Sequence, residues 1–237
     1  MVGLSGGIDS ALTARLARDA LGADRVLGVM LPDASYSPAL LAETRQYAVD
    51  LGIAHRVVPI EPAAASLRGL LPEVTDPIDL GNLTARLRMI ALYALARPAG
   101  RRVVGTGNKS ELLLGYFTKY GDGGVDLLPL GDLYKTQVRR LAEALDLPRA
   151  VRERVPSAGL WEGQTDEAEL GLPYDQLDRI LHGLEQLRPP EEIAARTGLP
   201  ATEVARVAQR VAANRHKRRP APIPKIGLRT VGLDWRD

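Results

Sequence analysis

The chain of 237 residues contains no cysteine and only three histidines, His55, His182 and His216, which lie far apart in the sequence. The lack of cysteine excludes disulfides, a thiolate nucleophile and cysteine-ligated zinc. The dispersed histidines argue against a histidine metal cluster. No apolar run approaches the roughly 20 residues of a membrane span, and no signal peptide is visible, so we expect a cytoplasmic protein. The chemistry must therefore depend on carboxylates, lysines, arginines, hydroxyl groups and a bound metal ion.

The sequence also carries little net charge. A formal charge of +2 at pH 7 is too small by itself to indicate a nucleic-acid-binding protein. The length suits one sizeable α/β domain or two small ones. Because we find no linker between autonomous segments, we expect a single domain over residues 1–237.

Short apolar runs alternate with helical patterns through the first half of the chain. We expect strands at residues 1–4, 25–31, 55–60 and 101–106, and helices at about 8–21, 39–51, 62–71 and 81–96. This alternation predicts a doubly wound α/β fold with a parallel sheet, whose ligands bind outside the carboxyl ends of the strands. After Tyr134 three apolar series at helical spacing predict a helical C-terminal layer: Val138, Leu141 and Leu145; Leu177, Ile180, Leu181 and Leu184; Val204, Val207 and Val211.

A glycine-rich turn, Ser5-Gly6-Gly7-Ile8-Asp9-Ser10, joins the first strand to the first helix. Free N–H groups and the helix dipole favour an anion at such a helix start. Asp9 would repel a phosphate unless a cation lay between them, which indicates Mg²⁺. The alternative is an ordinary N-capped helix. No lysine follows the glycines, and the turn is similar to the S-G-G-x-D-S pyrophosphate loop of enzymes that cleave ATP between its α- and β-phosphates.

Two further segments have features of a binding site. Residues 105–111 form a second glycine turn at a strand end, where Thr106 and Glu111 could face the same pocket as Asp9 and supply a second Mg²⁺ carboxylate. The alternative there is a capped helix. Residues 115–132 form a glycine-rich loop able to close over a ligand and bring Lys119 to a phosphate. Its alternative is a hairpin with its turn at residues 122–123.

Both segments carry a family resemblance. Gly-Thr-x-Asn-x-Ser-Glu at 105–111, followed by Gly-Tyr-Phe-Thr-Lys-Tyr-Gly-Asp-Gly-Gly-x-Asp at 115–126, resembles the NAD⁺ synthetases. The resemblance covers nearly the whole chain and extends through residues 81–89, 130–135, Pro156-Ser157-Ala158, Thr165-Asp166-Glu167 and His216-Lys217-Arg218. Several ordered motifs are stronger evidence than one.

The resemblance implies a ligase that uses ATP and ammonia to convert deamido-NAD⁺ to NAD⁺ through an adenylate, releasing AMP and pyrophosphate. It implies that Asp9 and Glu111 bind Mg²⁺, and that these two residues and Lys119 are catalytic. It implies ATP binding by Gly3, Leu4, Ser5, Gly6, Gly7, Ile8, Asp9, Ser10, Thr106, Lys135 and Ser157. It implies deamido-NAD⁺ binding by Arg86, Lys119, Asp126, His216 and Lys217. The family is homodimeric, with the dinucleotide site near the subunit interface.

The sequence departs from the family pattern at its start, where the usual first helix and the beginning of the first strand are missing. It has no room for the amidase domain of larger relatives, so we expect free ammonia or a separate donor subunit. Ser157 stands where threonine is frequent. Two other hypotheses stay open: a different ATP pyrophosphatase, similar to GMP synthetase or to a tRNA-modifying enzyme, and a non-catalytic nucleotide- or nucleic-acid-binding module with the basic residues 215–219. Without the resemblance, Arg86, Arg88 and the basic residues 215–219 would be read as solvated helix faces.

Overall fold

A parallel sheet organises the computed structural model, which describes residues 1–157, 159, 163–231 and 234. The strands β1 (Val2–Gly3), β2 (Leu27–Met30) and β3 (Ala54–Val57) are neighbours in that order. On the other side of β1, Val104 forms a parallel bridge to Val2 and another to Leu127. Starting from β1, the strand order therefore runs to β3 on one side of the sheet, and the later residue Val104 lies on the other side. Such a reversal point in a parallel sheet is where ligands bind.

Helices connect and cover the strands. The described helices are α1 (Ile8–Leu21), α2 (Pro38–Asp50), α3 (Glu61–Leu70), α4 (Pro77–Ala96), α5 (Lys109–Leu114), α6 (Lys135–Ala144), α7 (Arg149–Arg152), α8 (Asp166–Leu170), α9 (Tyr174–Glu185), α10 (Pro190–Thr197) and α11 (Ala201–Ala213), with 3₁₀ turns at Ala23–Arg25 and Asn214–Arg218. Over the part of the chain that the structure describes, we find no helix with the length and apolar character needed to cross a membrane.

The two faces of the sheet belong to different cores, because successive strand residues point to opposite faces. Met30 packs with α1, α2 and α6 on one face. Its neighbour Val29 packs on the other face with Ile60, Val103 and the end of α4. Each fully buried aliphatic side chain contributes about 1.5–3 kcal/mol. Coverage on both faces confirms the predicted doubly wound fold.

A third core forms the helical C-terminal layer. It joins α5, α9, α10 and α11 and includes Leu114 and Tyr174. The second and third of the predicted apolar series, on α9 and α11, pack in this core, whereas the first, on α6, packs against α1 in the core described above. The prediction of a helical second half is confirmed, and the structure adds the short helices α7, α8 and α10.

The predicted fourth strand at 101–106 is reduced to one bridging residue, Val104. The ladder is interrupted because Val103 N donates to the Asp126 carboxylate at 2.8 Å. The predicted third strand ends two residues before Pro59, which cannot donate to a ladder. The helix predicted from residue 81 begins at Pro77, because the Asp76 side chain caps it by accepting from Ile78 N.

Candidate active site

The glycine turn after β1 has the geometry of an open helix start. Gly6 has φ +82°, and a Cβ there would lie 2.5 Å from a Leu40 methyl group, so both backbone conformation and space favour glycine. Gly7 occupies the N-cap position without a side chain to cap α1. The helix therefore begins with a glycine N-cap and with Asp9 in its first turn, as in the alternative of an ordinary N-capped helix, but no side chain caps its first N–H groups. Ser10 Oγ donates to Gly7 O and accepts from Ser5 N, which holds the turn in shape.

Three charged side chains from three helices meet beside this turn. Lys135 Nζ lies 2.5 Å from Asp9 Oδ2 and 3.3 Å from Glu111 Oε1. The lysine side chain is 2 % exposed and the two carboxylates are 17 % and 16 % exposed. The structure thus brings together the residues predicted for the ATP and Mg²⁺ site. Asp9, Glu111 and Lys135 are called the charged cluster below.

Asn108 is a member of this site that the sequence reasoning did not single out. It is fully buried and donates from its side-chain amide to Asp9 Oδ1 at 2.9 Å. It also forms a capping box with Glu111, in which each side chain accepts from the other's backbone N–H. The predicted alternative of a capped helix is therefore correct, and it coexists with the site, because the cap orients both carboxylates. The Asn-x-x-Glu spacing was the available signal.

Burial and mutual attraction compete in the charged cluster. Burial raises the pKa of Glu111 above its ordinary value, and the Lys135 ammonium opposes that effect. Burial lowers the pKa of Lys135, but the Asp9 and Glu111 carboxylates outweigh it and the net pKa is raised. The cluster therefore holds one buried cation between two carboxyl groups, as expected where a polyphosphate and its counter-ion are to bind.

A third carboxylate, Asp166, lies behind the charged cluster. It is 3 % exposed, and its Oδ2 accepts from Tyr174 OH at 3.0 Å, while Oδ1 has no hydrogen-bond partner among the described residues. Burial raises its pKa, and Lys135 partly opposes this. Lys135 Nζ also lies 5.4 Å from the centre of the Tyr174 ring. Sequence reasoning used Thr165-Asp166-Glu167 only as part of a resemblance and gave Asp166 no role.

The loop after α5 and the C-terminal 3₁₀ turn hold each other through two lysines. Lys119 Nζ donates to His216 O at 2.7 Å and to Arg219 O at 3.1 Å. Lys217 Nζ donates to Gly115 O at 2.7 Å and to Phe117 O at 3.0 Å. Three residues predicted for deamido-NAD⁺ therefore lie together: Lys119, His216 and Lys217. The hairpin alternative is wrong, since residues 115–126 are all described and contain no strand.

Helix α4 packs against the same loop. Thr118 Oγ1 donates to Asn82 Oδ1 at 2.7 Å. Burial lowers the pKa of Lys217, and the exposed Arg86 is close enough to add a smaller effect in the same direction. Its neighbour Arg88 is no solvated-face residue, because it donates to Asp33 at 3.1 Å and to Leu31 O. Asp126 is engaged by Tyr93 OH and Val103 N.

Two predicted ATP contacts remain outside these clusters. Thr106 follows the Val104 bridge at the carboxyl end of the sheet, on the same edge as the glycine turn. Ser157 is exposed, and its hydroxyl accepts from Gly159 N at 3.0 Å. Ala158 of the same motif lies outside the described residues. The roles of Thr106 and Ser157 stay predictions.

Comparison with known proteins decides the family. The profile of the NAD synthase family matches residues 1–221. The chain belongs to the NAD synthase family. It is 48 % identical over 229 residues to an NH₃-dependent NAD⁺ synthetase of Methanosarcina mazei, an alignment that covers 95 % of this chain and 90 % of the relative. The predicted resemblance is confirmed.

Solved structures agree with this NAD synthase assignment. An NMN synthetase from Francisella tularensis superposes with a TM-score of 0.83 at 37 % identity, covering 94 % of this chain and 88 % of that one. An NH₃-dependent NAD synthetase from Campylobacter jejuni superposes with a TM-score of 0.79 at 32 % identity, covering 94 % and 87 %.

Proposed function

We propose that the chain is a ligase that amidates deamido-NAD⁺ to NAD⁺ with ATP and free ammonia. A nicotinate carboxylate oxygen attacks the α-phosphorus of ATP, the bond to pyrophosphate breaks, and an adenylate forms. Ammonia then attacks the acyl carbon, AMP leaves, and one proton is released from nitrogen. The observation that carries the proposal is the charged cluster of Asp9, Glu111 and Lys135 beside the open glycine turn.

The residues of this site suit a reaction between two polyanions. The N–H groups at the start of α1 favour the leaving pyrophosphate. Lys135 supplies a buried cation for the ATP phosphates. A carboxylate nucleophile needs no general base, so the scarcity of histidine is no obstacle. Positioning and charge stabilisation at phosphorus are then the main sources of rate.

The carboxylates of Asp9 and Glu111 fit a Mg²⁺ ion. Both are hard oxygen ligands, and both approach the same ammonium group, that of Lys135, so they lie near enough to each other to share a metal ion with phosphate oxygens. When bound there, Mg²⁺ would neutralise charge that develops on the phosphates. Asn108 would keep Asp9 oriented, since its amide already holds the other carboxylate oxygen.

The basic residues of the loop and tail support binding of deamido-NAD⁺. Lys119, Lys217 and Arg86 form a cationic surface at the C-terminal end of α5, whose first turn carries Glu111 of the charged cluster. In the present contacts both lysines donate to backbone carbonyls. A phosphate of the substrate would compete for these ammonium groups and bind them more strongly than a neutral carbonyl does.

We include a homodimer in the proposal. Helix α4 is 20 residues long and rich in apolar residues, yet Ile78 and Ile90 are each 57 % exposed on it. Ile90 lies one turn after Arg86, so a second copy covering this face would meet the dinucleotide surface. We also propose that residues 1–237 act as one domain and that the enzyme works in the cytoplasm, where ATP is available.

One assay tests the function directly. Purified protein with ATP, Mg²⁺ and deamido-NAD⁺ should form equimolar AMP and NAD⁺ with ammonium, and none with glutamine alone. Turnover that depends on xanthosine monophosphate or tRNA and ignores deamido-NAD⁺ would overturn the proposal. Salt-sensitive RNA binding without ATP turnover would favour a non-catalytic module.

A second substrate has a specific observation in its favour. The similarity to an NMN synthetase makes nicotinate mononucleotide an alternative acceptor with the same carboxylate chemistry. The two acceptors differ by an adenylyl group, so a ratio of kcat/KM values for the mononucleotide and the dinucleotide decides between them. We expect the dinucleotide to have the higher value, because the curated relative described above is an NAD⁺ synthetase.

A further inference from the structure

Asp178 is a buried carboxylate outside the charged cluster with an unusual pair of partners. It lies on α9 and is 5 % exposed. Its Oδ1 accepts from Ser110 Oγ at 2.5 Å and its Oδ2 accepts from Thr136 N at 2.8 Å. These partners belong to α5 and α6, the two helices that carry Glu111 and Lys135.

Ser110 completes the connection. Its hydroxyl oxygen is fully buried and accepts from Lys135 N at 2.9 Å while the hydroxyl donates to Asp178. The first N–H groups of a helix have no partners within it. In α6 the N–H groups of Lys135 and Thr136 find theirs in Ser110 and Asp178, residues of two other helices. A carboxylate at this end of the ten-residue α6 is also favoured by the helix dipole.

The arrangement controls the geometry of the charged cluster. Ser110 directly precedes Glu111 in the first turn of α5, and Lys135 is the first residue of α6. A hydrogen bond between Ser110 and the Lys135 backbone therefore fixes the distance between the backbones that carry the two opposite charges. The Lys135 side chain must reach Asp9 Oδ2 and Glu111 Oε1 from that anchored position.

We propose that Ser110 and Asp178 are positioning residues for the synthetase reaction, which set Lys135 relative to Asp9 and Glu111. They touch no reacting atom. They act on ATP only through Lys135. The inference rests on the proposed function in one respect, because the kinetic assays below follow the proposed reaction. Partners at this distance from reacting groups in metal sites typically change affinity or activity by 10–100-fold.

The test compares Ser110→Ala and Asp178→Asn with two controls. Asp175→Asn removes a carboxylate from an exposed position on the same helix, α9. Ile193→Ala removes buried volume on α10, a helix that carries neither the charged cluster nor its partners, so it is the control for lost stability. For every variant, kcat, the KM for ATP, the KM for deamido-NAD⁺ and the melting temperature are measured.

We expect Ser110→Ala and Asp178→Asn to lower kcat about 10- to 100-fold and to raise the KM for ATP. The KM for deamido-NAD⁺ should stay within about twofold of the wild-type value, because binding of that substrate is not affected. Asp175→Asn should match the wild type. The proposal is overturned if both test variants keep a normal kcat and KM for ATP, or if their loss of activity merely follows their melting temperature as in Ile193→Ala.

A binding measurement separates this proposal from the proposed function. Affinity for α,β-methylene-ATP with Mg²⁺ needs no second substrate. We expect weaker binding in Ser110→Ala, together with faster amide exchange at residues 135–136. If the wild type binds this analogue but forms no NAD⁺, the proposed function fails. The affinities of the variants for the analogue still test the positioning role in that case. Unchanged analogue affinity in both test variants would reject the positioning role alone.

Discussion

Lys135 Nζ lies 2.5 Å from Asp9 Oδ2, although 126 positions separate the two residues. The contact joins the first turn of α6 to the first turn of α1, at the edge of the sheet where the chain reverses direction. Glu111 approaches the same ammonium from α5. Three helix starts therefore meet at one buried cation, and this meeting is the structural basis of the proposed ATP site.

Asp9→Asn and Glu111→Gln should each abolish most adenylate formation. Each replacement removes one of the two negative charges that would hold Mg²⁺ while it preserves side-chain size. We expect a loss of about 10²–10³-fold in the rate of AMP release in a protein that still folds, although its melting temperature falls because the buried Lys135 loses one partner. Asp24→Asn, at an exposed surface position, is the matched control. Near-normal AMP release in either variant would contradict a shared metal site.

Lys119→Ala should impair use of the second substrate more than ATP binding. The ammonium of Lys119 lies at the junction of loop and tail, so its loss removes a phosphate contact and loosens that junction. We expect kcat/KM for deamido-NAD⁺ to fall about 10- to 100-fold while the KM for ATP changes less than about threefold. Lys225→Ala, an exposed lysine of the tail, should have no such effect. Equal losses for both substrates would argue against this division.

Glu185→Gln should reduce stability at neutral pH but not in acid. The hydrogen bond from Lys109, followed by that from Tyr134, lowers the pKa of Glu185 to about 2. The folded pKa lies below the unfolded value of about 4.3, so the stabilisation is present above that value and is lost as the pH falls toward 2. Since the side chain is 42 % exposed, screening reduces the contribution to about 0.5–1 kcal/mol.

Thermal or urea unfolding of Glu185→Gln at pH 7 and near pH 2 measures this difference. At pH 7 the variant should melt a few degrees below the wild type, on the order of 2–4 °C. The gap should close in acid and shrink in high salt. Glu73→Gln, in an exposed loop, is the control. A gap that is the same at both pH values would show that packing, not charge, is responsible.

Ile90→Asp should dissociate the proposed dimer. A charge at this exposed apolar position of α4 would be buried without a partner if a second copy packs there. Light scattering coupled to size-exclusion chromatography should report a dimer for the wild type and a monomer for the variant. Leu187→Asp changes an apolar residue that is 90 % exposed elsewhere and should stay dimeric. A wild type that is monomeric at micromolar concentration would rule out this part of the proposal.

The local sequence was sufficient to predict those elements whose pattern lies within a few neighbouring residues. The spacing of Leu177, Ile180 and Leu181 was enough for α9, because a helix repeats every 3.6 residues wherever it packs. Gly6, Asp9 and the pattern around Lys119 were enough for the family resemblance, and the phosphate site stays a prediction. The fourth strand was overestimated, because no local pattern reveals that the Asp126 side chain takes the N–H of Val103.

What the sequence by itself determined is the doubly wound order of strands and helices, the glycine turn and the identity of the motif residues. Only the tertiary structure decided that Asn108 orients Asp9, that Asp166 lies behind Lys135, and that Asp178 and Ser110 connect α5 to α6. The separations are 25 positions from Ser110 to Lys135, 31 from Lys135 to Asp166, 68 from Ser110 to Asp178 and 99 from Asp9 to Asn108. Periodicity and capping are local properties, whereas such partners are chosen by packing, which brings distant buried polar groups together only when the whole core is formed.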